Sequence, residues 1–135
     1  MDIYREEILE HWQSPQNFRQ MDDADIVVEE VNPLCGDEIT MYFRVKRDKG
    51  TKGQSKKVDK VTFVSSGCAI STASASILTE AIKGKSIKEI STLEGKEVLK
   101  MLGADKSFPP ARLKCAFLAL EALRQAQGKL LRNIG

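Results

Sequence analysis

The stretch Asn32-Pro33-Leu34-Cys35-Gly36-Asp37 constrains this chain more than any other. Asn-Pro initiates a turn, and Pro33 fixes its own φ while removing a backbone donor. Gly36 permits a backbone conformation that a Cβ would forbid, so Cys35 and Asp37 can converge on one point. Extended patterns flank the turn. Ile26 to Val31 reads as a strand leading in. On the far side Ile39, Met41, Phe43 and Val45 alternate with Thr40, Tyr42 and Arg44, the period of a half-buried strand. A carboxylate beside a thiol is a poor arrangement for a nucleophile, because its charge discourages ionisation. It is a good arrangement for holding a cation, to which both groups are ligands. Taken alone, the stretch favours a plain hairpin turn carrying a buried cysteine. The rest of the chain changes that balance.

Val58 to Ser65 gives a third strand, with Val61 and Phe63 on one face, and the three strands suggest an antiparallel meander. Before them, Asp2 can cap a helix whose apolar stripe is Ile3, Ile8, Leu9 and Trp12, ended by Ser14-Pro15. His11, the only histidine, falls in its last turn and reads as a surface or capping residue rather than a ligand. Lys46 to Lys60 carries seven basic side chains with no interleaved aromatic residue to stack on bases, so a solvated hairpin loop is the expectation there. After Gly67-Cys68 comes a helix made mostly of small residues, Ala69 to Lys83, stopped by Gly84. Ser86-Ile87-Lys88-Glu89 is a capping-box signature, and Glu94 to Leu102 forms one more helix, closed by Gly103. Phe108-Pro109-Pro110 prepares a last long helix. Its apolar spacing, Leu113, Phe117, Leu120 and Leu123 or Arg124, marks that stripe as the buried face. Cys115 falls about 200° from both Leu113 and Phe117 and is expected to point elsewhere.

The chain of 135 residues, 41% hydrophobic and 30% charged, is expected to form a single domain over 1–135, without a second domain or internal repeats. No apolar run approaches the roughly 20 residues that span a bilayer, and Met1 to Glu7 is too acidic for a leader peptide. A cytoplasmic protein off the membrane is the expectation. Cys35, Cys68 and Cys115 are odd in number and far apart, so three reduced thiols is simpler than a disulfide framework. The net charge of +2 hides an asymmetry, with −8 on residues 1–45 and +10 on the remainder. Such a dipole suits docking on a protein partner better than wrapping nucleic acid, which is not expected as a partner.

Cys68 stands just before one helix and Cys115 in the early turns of another, where amide dipoles favour negative charge. Both thiols are therefore expected to ionise more easily than free cysteine, with Lys114 helping Cys115. If the two helix starts and the 35–37 turn meet at one end of the sheet, three thiolates and one carboxylate form a complete set for zinc or an iron–sulfur cluster. Separations of 33 and 47 residues exclude paired zinc knuckles, so the fold must assemble any such site. A purely structural zinc site is the plain alternative. A thiol enzyme using Cys68 or Cys115 needs a base, and the one histidine lies on a remote helix.

Three motifs in order resemble the iron–sulfur cluster assembly scaffolds of the IscU, SufU and NifU amino-terminal type. They are Asn32-Pro33-Leu34-Cys35-Gly36-Asp37, Gly67-Cys68-Ala69-Ile70-Ser71, and Pro110-Ala111-Arg112-Leu113-Lys114-Cys115-Ala116, preceded by Tyr4 to His11 with Pro15 and Asn17. The resemblance implies an α+β fold, a three-stranded antiparallel sheet covered by helices, with the site at one end. It implies that Cys35, Asp37, Cys68 and Cys115 bind a [2Fe–2S] cluster or zinc. It also implies a scaffold rather than an enzyme, one that accepts persulfide sulfur from a pyridoxal-phosphate cysteine desulfurase and passes clusters to apo acceptor proteins. Cys35 is expected to take the sulfur first, with Cys115 the alternative. Lys114 stands where IscU-type members carry histidine and is SufU-like, yet the 47-residue separation leaves no room for the SufU-type insertion. Both subfamilies stay open. Phe108 to Arg112 partly matches the Leu-Pro-Pro-Val-Lys element that dedicated chaperones bind in IscU types, which leaves a chaperone open as a partner.

Overall fold

The computed structural model describes residues 6–32, 36–46, 56–102 and 113–134. Alternating burial along the strands dictates the centre of the fold. In β2 (Asp37–Val45) every odd residue is buried and every even one faces outward, as the sequence period requires. β1 (Ile26–Asn32) pairs antiparallel with β2 from Ile26 opposite Phe43 to Asn32 opposite Asp37. β3 (Val58–Ser66) pairs with the other edge of β2, from Glu38 opposite Ser66 to Val45 opposite Val58, with one irregularity at Arg44/Val45. The sheet order is β1-β2-β3, the expected meander. Gly36, at φ +75°, donates its N–H to the Asn32 carbonyl at 2.8 Å, the backbone state for which a glycine was anticipated.

One face of the sheet is covered by helices. α1 (Glu6–Gln13) packs on α2 (Ala69–Ile82), and α2 and α5 (Leu113–Ile134) pack on each other and on the strands. Between them run α3 (Ile87–Ser91) and α4 (Gly95–Met101). The capping box of α3 is present, with Glu89 N–H donating to Ser86 Oγ and Ser86 N–H to the Glu89 carboxylate, both at 3.1 Å. These backbone and side-chain bonds hold the exposed Glu89 carboxyl below its ordinary value. Gly84, at φ +75°, follows α2 as its stop. The sequence expectations for Asp2, Ile3, Gly103, residues 47–55 of the basic loop, and Phe108 to Arg112 lie outside the described residues.

Two expectations about helix faces are corrected. Trp12 is 46% exposed although Ile8, one turn earlier, is fully buried. In the last turn of α1 the neighbouring His11 turns toward α2 instead, its Nδ1 lying 2.7 Å from Ser76 Oγ. His11 is thus neither a plain surface residue nor a cap for its own helix. On α5, Cys115 lies on the buried face, together with Ala116, Ala119, Ala122, Leu123 and Ala126. Leu113 and Phe117 are only half-buried, and Arg124 is exposed. The reason is the small-residue surface of α2, which draws α5 in along its alanines, so that Ser74 Oγ donates to the Ala116 carbonyl at 2.5 Å. Large side chains flank such a crossing rather than fill it. Overpacking it is expected to be costly: Ala119→Leu should lose about 1–3 kcal/mol, whereas Leu113→Ala should cost less. Denaturant unfolding of both variants checks the order, and a neutral Ala119→Leu would show that the crossing is not tight.

Candidate metal centre

The strand parity that buries Ile39 and Met41 also turns Asp37 into the core end of the sheet, where it is 4% exposed. β3 ends at Ser66, opposite Glu38, and the chain passes through Gly67 directly to Cys68, the N-cap of α2. The cysteine side chain makes no capping bond to its helix. Ser71, one turn on, donates its hydroxyl to the Cys68 carbonyl at 3.0 Å and lies 3.7 Å from Cys68 Sγ. The start of α5 brings Cys115 to the same place. The donor atoms of Asp37, Cys68 and Cys115 all lie within 4.8 Å of one another. A tetrahedral zinc with sulfur ligands at about 2.3 Å would separate its donors by about 3.8 Å, so a small inward adjustment closes the shell. Three of the four residues singled out in the sequence are therefore together, while Cys35 lies outside the described residues. His11 is not among the donors. Its partner Ser76 is eight residues beyond Cys68 along α2, about 12 Å of helix.

The electrostatics of the cluster oppose it as it stands. Asp37 Oδ2 is buried and has no hydrogen-bond partner among the described residues. The other such atom, Thr62 Oγ1, belongs to a neutral hydroxyl, which is far cheaper to bury than a carboxylate. Burial pushes the Cys115 thiol up, and hydrogen bonding and negative charge from Cys68, then from Asp37, push it the same way. This overturns the expectation that Cys115 ionises easily. The partial charge at a helix start, roughly half an elementary charge, is outweighed by burial and by the neighbouring Cys68 and Asp37. Lys114 does not reverse it, because its side chain is exposed. A divalent cation would invert every one of these terms, giving Oδ2 a partner and making each thiolate favourable. The donor set, soft sulfurs with one carboxylate, fits zinc or iron. Beside the cluster a cleft opens between β1 and α5, lined by Val31, Asn32, Lys114, Phe117 and Leu118.

Gly67 and Ser71 were visible in the sequence only as parts of a motif. The signal for Ser71 was its spacing of three from Cys68 at a helix start, which puts the two on one face.

The NifU-like N terminal domain matches residues 3–134. The chain belongs to this family. It is 35% identical to the iron–sulfur cluster assembly scaffold protein IscU of Thermotoga maritima, with 96% of each chain covered. It is 34% identical to the zinc-dependent sulfurtransferase SufU of Bacillus subtilis, over 94% of this chain and 90% of that one. The crystal structure of FiSufU from Fervidobacterium islandicum superposes with a TM-score of 0.73 at 27% identity, covering 93% of this chain and 96% of that one. The fold is thus that of the iron–sulfur cluster assembly scaffolds.

The unpartnered Oδ2 of Asp37 yields a prediction with opposite signs in two states. Asp37→Asn removes a buried charge, so the metal-free protein should gain roughly 1–3 kcal/mol. The stabilisation gained on adding zinc should shrink. Thermal melting with chelator and with zinc measures both, and an equal change in the two states would mean that Asp37 faces no cation.

Proposed function

We propose that this protein is an iron–sulfur scaffold on which a [2Fe–2S] cluster is assembled from iron and persulfide sulfur, held by Cys35, Asp37, Cys68 and Cys115. The observation that carries the reading is the convergence of Asp37, Cys68 and Cys115 donor atoms within 4.8 Å around a buried, unpartnered carboxylate oxygen. Cys35, two residues before Asp37, supplies the fourth ligand. The carboxylate is presented by a strand end and the two thiols by helix starts, and Cys35 falls in the sequence between β1 and β2. A carboxylate is a harder ligand than a thiolate for this soft site and therefore the more exchangeable one, which suits cargo that must be released to apo acceptor proteins.

Sulfur arrives from a cysteine desulfurase. An acceptor thiolate attacks the terminal sulfur of the enzyme's persulfide, that S–S bond breaks, and the enzyme keeps its own thiolate. An electron donor then reduces the transferred sulfur to sulfide as iron is added. Cys115, buried and with its thiol pushed up, is a poor attacking group. Cys35 is the first acceptor and Cys115 the alternative. The cleft lined by Val31, Lys114 and Phe117 offers an approach for the donor's persulfide-bearing segment.

A second reading is favoured by Lys114 and by the SufU relative: a zinc-dependent sulfur-transfer adaptor that never holds iron. Zinc held by the same residues would keep the thiols deprotonated between transfers. Chain length favours neither reading. The match to IscU 1 of Archaeoglobus fulgidus, 34% identical over 124 residues, covers 92% of this chain, which leaves room for almost no gap in it. The matches to SufU and to IscU of Thermotoga maritima run over 143 and 144 positions, more than this chain has residues. A cytoplasmic setting fits Cys68 and Cys115, neither of which is in a disulfide. Among the described residues no helix is long and apolar enough to cross a membrane.

Anaerobic incubation with iron(II), cysteine and a desulfurase should give the absorption of a [2Fe–2S] cluster, lost in Cys35→Ala. A protein that takes up zinc but no iron under these conditions would be the adaptor. A single turnover on zinc-loaded protein, followed by mass spectrometry without reduction, should place the extra sulfur on the peptide containing Cys35. An extra sulfur on the Cys115 peptide that persists in Cys35→Ser would reverse the assignment.

A further inference from the structure

We infer that Gly67 is a positioning residue for the candidate metal centre, whose missing side chain lets the Asp37 carboxylate stand beside the two thiols. The inference rests on reading Asp37 as a ligand. Antiparallel pairing of Glu38 with Ser66 brings Gly67, one step further, opposite Asp37. A methyl group on the Gly67 Cα would lie 2.5 Å from Asp37 Oδ1, 2.6 Å from Cγ and 2.9 Å from Cβ. Real Cβ atoms do not tolerate such contacts, so something must move.

The backbone does not explain this glycine. Among the described glycines only Gly36 and Gly84 take the left-handed conformation that excludes other residues, and Gly67 does not. The sign of φ therefore does not exclude alanine at position 67, and the three nearest atoms that its Cβ would meet all belong to Asp37. Rotation of the carboxylate would relieve Oδ1 and Cγ but not Cβ, which the pairing of Asp37 with Asn32 holds in place. Either the carboxylate leaves the cluster or the ends of β2 and β3 part. Both withdraw the oxygen donor from Cys68 and Cys115. Gly67 itself touches no metal.

The test is titration of the full chain with cobalt(II), and with zinc in competition against a chromophoric chelator. The variants are Gly67→Ala, Asp37→Gly and the double variant. Asp37→Gly removes the carboxylate and the Cβ together, leaving Gly67→Ala nothing to displace. Gly67→Ala alone should weaken cobalt and zinc binding about 10–100-fold, the usual effect of disturbing a group that orients a ligand. It should also shift the cobalt ligand-field bands toward those of Asp37→Gly. In the double variant the added alanine should have almost no further effect on affinity. An equal loss in both backgrounds would overturn the inference, since Gly67 would then act through Cys68. Wild-type affinity and bands in Gly67→Ala, with Asp37→Gly changed, would also overturn it while leaving the ligand reading intact. Wild-type behaviour of Asp37→Gly would sink the ligand reading itself. If Gly67→Ala does not fold, recovery of the fold in the double variant supports the contact, and continued failure counts against it.

Discussion

Mutual repulsion among three converging groups, Asp37 and Cys115 buried and Cys68 half-buried, is the constraint on which the rest of this molecule turns. Asp37, Cys68 and Cys115 sit close enough that any two negative charges among them oppose each other, in a place with little water to screen them. Nothing local would hold them there. They are brought together by the β2–β3 register, by the passage from β3 into α2, and by the close crossing of α2 and α5. Each is anchored in buried apolar surface: Met41, Phe43 and Phe63 on the sheet, Leu78 and Ile82 on α2, Leu123 on α5. The core makes the repulsion tolerable, and a cation would turn it into attraction.

That division explains what could be read from the sequence. Strand parity was legible because one face is buried, so Ile39, Met41, Phe43 and Val45 declared their side, and Asp37 lies on the same parity. The turn, the α2 stop and the α3 capping box were legible because single residues with local mechanisms make them. The buried face of α5 was legible only in part. Hydrophobic periodicity weights large side chains, and it found the buried Leu120 and Leu123 but also selected the half-buried Leu113 and Phe117, whereas the innermost positions belong to Ala116, Ala119 and Ala126. Only knowledge that α2 would be the neighbour, with its own small residues, predicts that choice. Trp12 failed for a related reason, since helical spacing shows a face but not how far the partner helix extends.

The ionisation of Cys115 was misjudged through a one-sided ledger. The helix start and Lys114 are local in sequence and were visible. Burial, Cys68 and Asp37 are supplied by tertiary structure, and they win. The general lesson is that proximity to a helix N-terminus lowers a thiol's proton affinity only while the thiol can still see solvent or a cation. In this fold the same neighbours that suppress a free thiolate are the other candidate ligands of an ion, so suppression of the nucleophile and fitness for a metal would have one cause.

The same point separates the thiol-enzyme reading from the scaffold. A nucleophilic cysteine needs a base within hydrogen-bond reach, and His11 is committed to Ser76 about 12 Å along α2 from Cys68. Ser76 also accepts the Gln16 N–H at 2.7 Å, so this hydroxyl ties the end of α1 to α2 rather than serving the cluster. Among the described residues, what remains around Cys68 is Ser71, Asp37 and Cys115, a set with no histidine to relay a proton. Such a set does little for bond-making by a lone thiol. It would do a great deal for an ion, because the carboxylate and both thiols in it are candidate ligands.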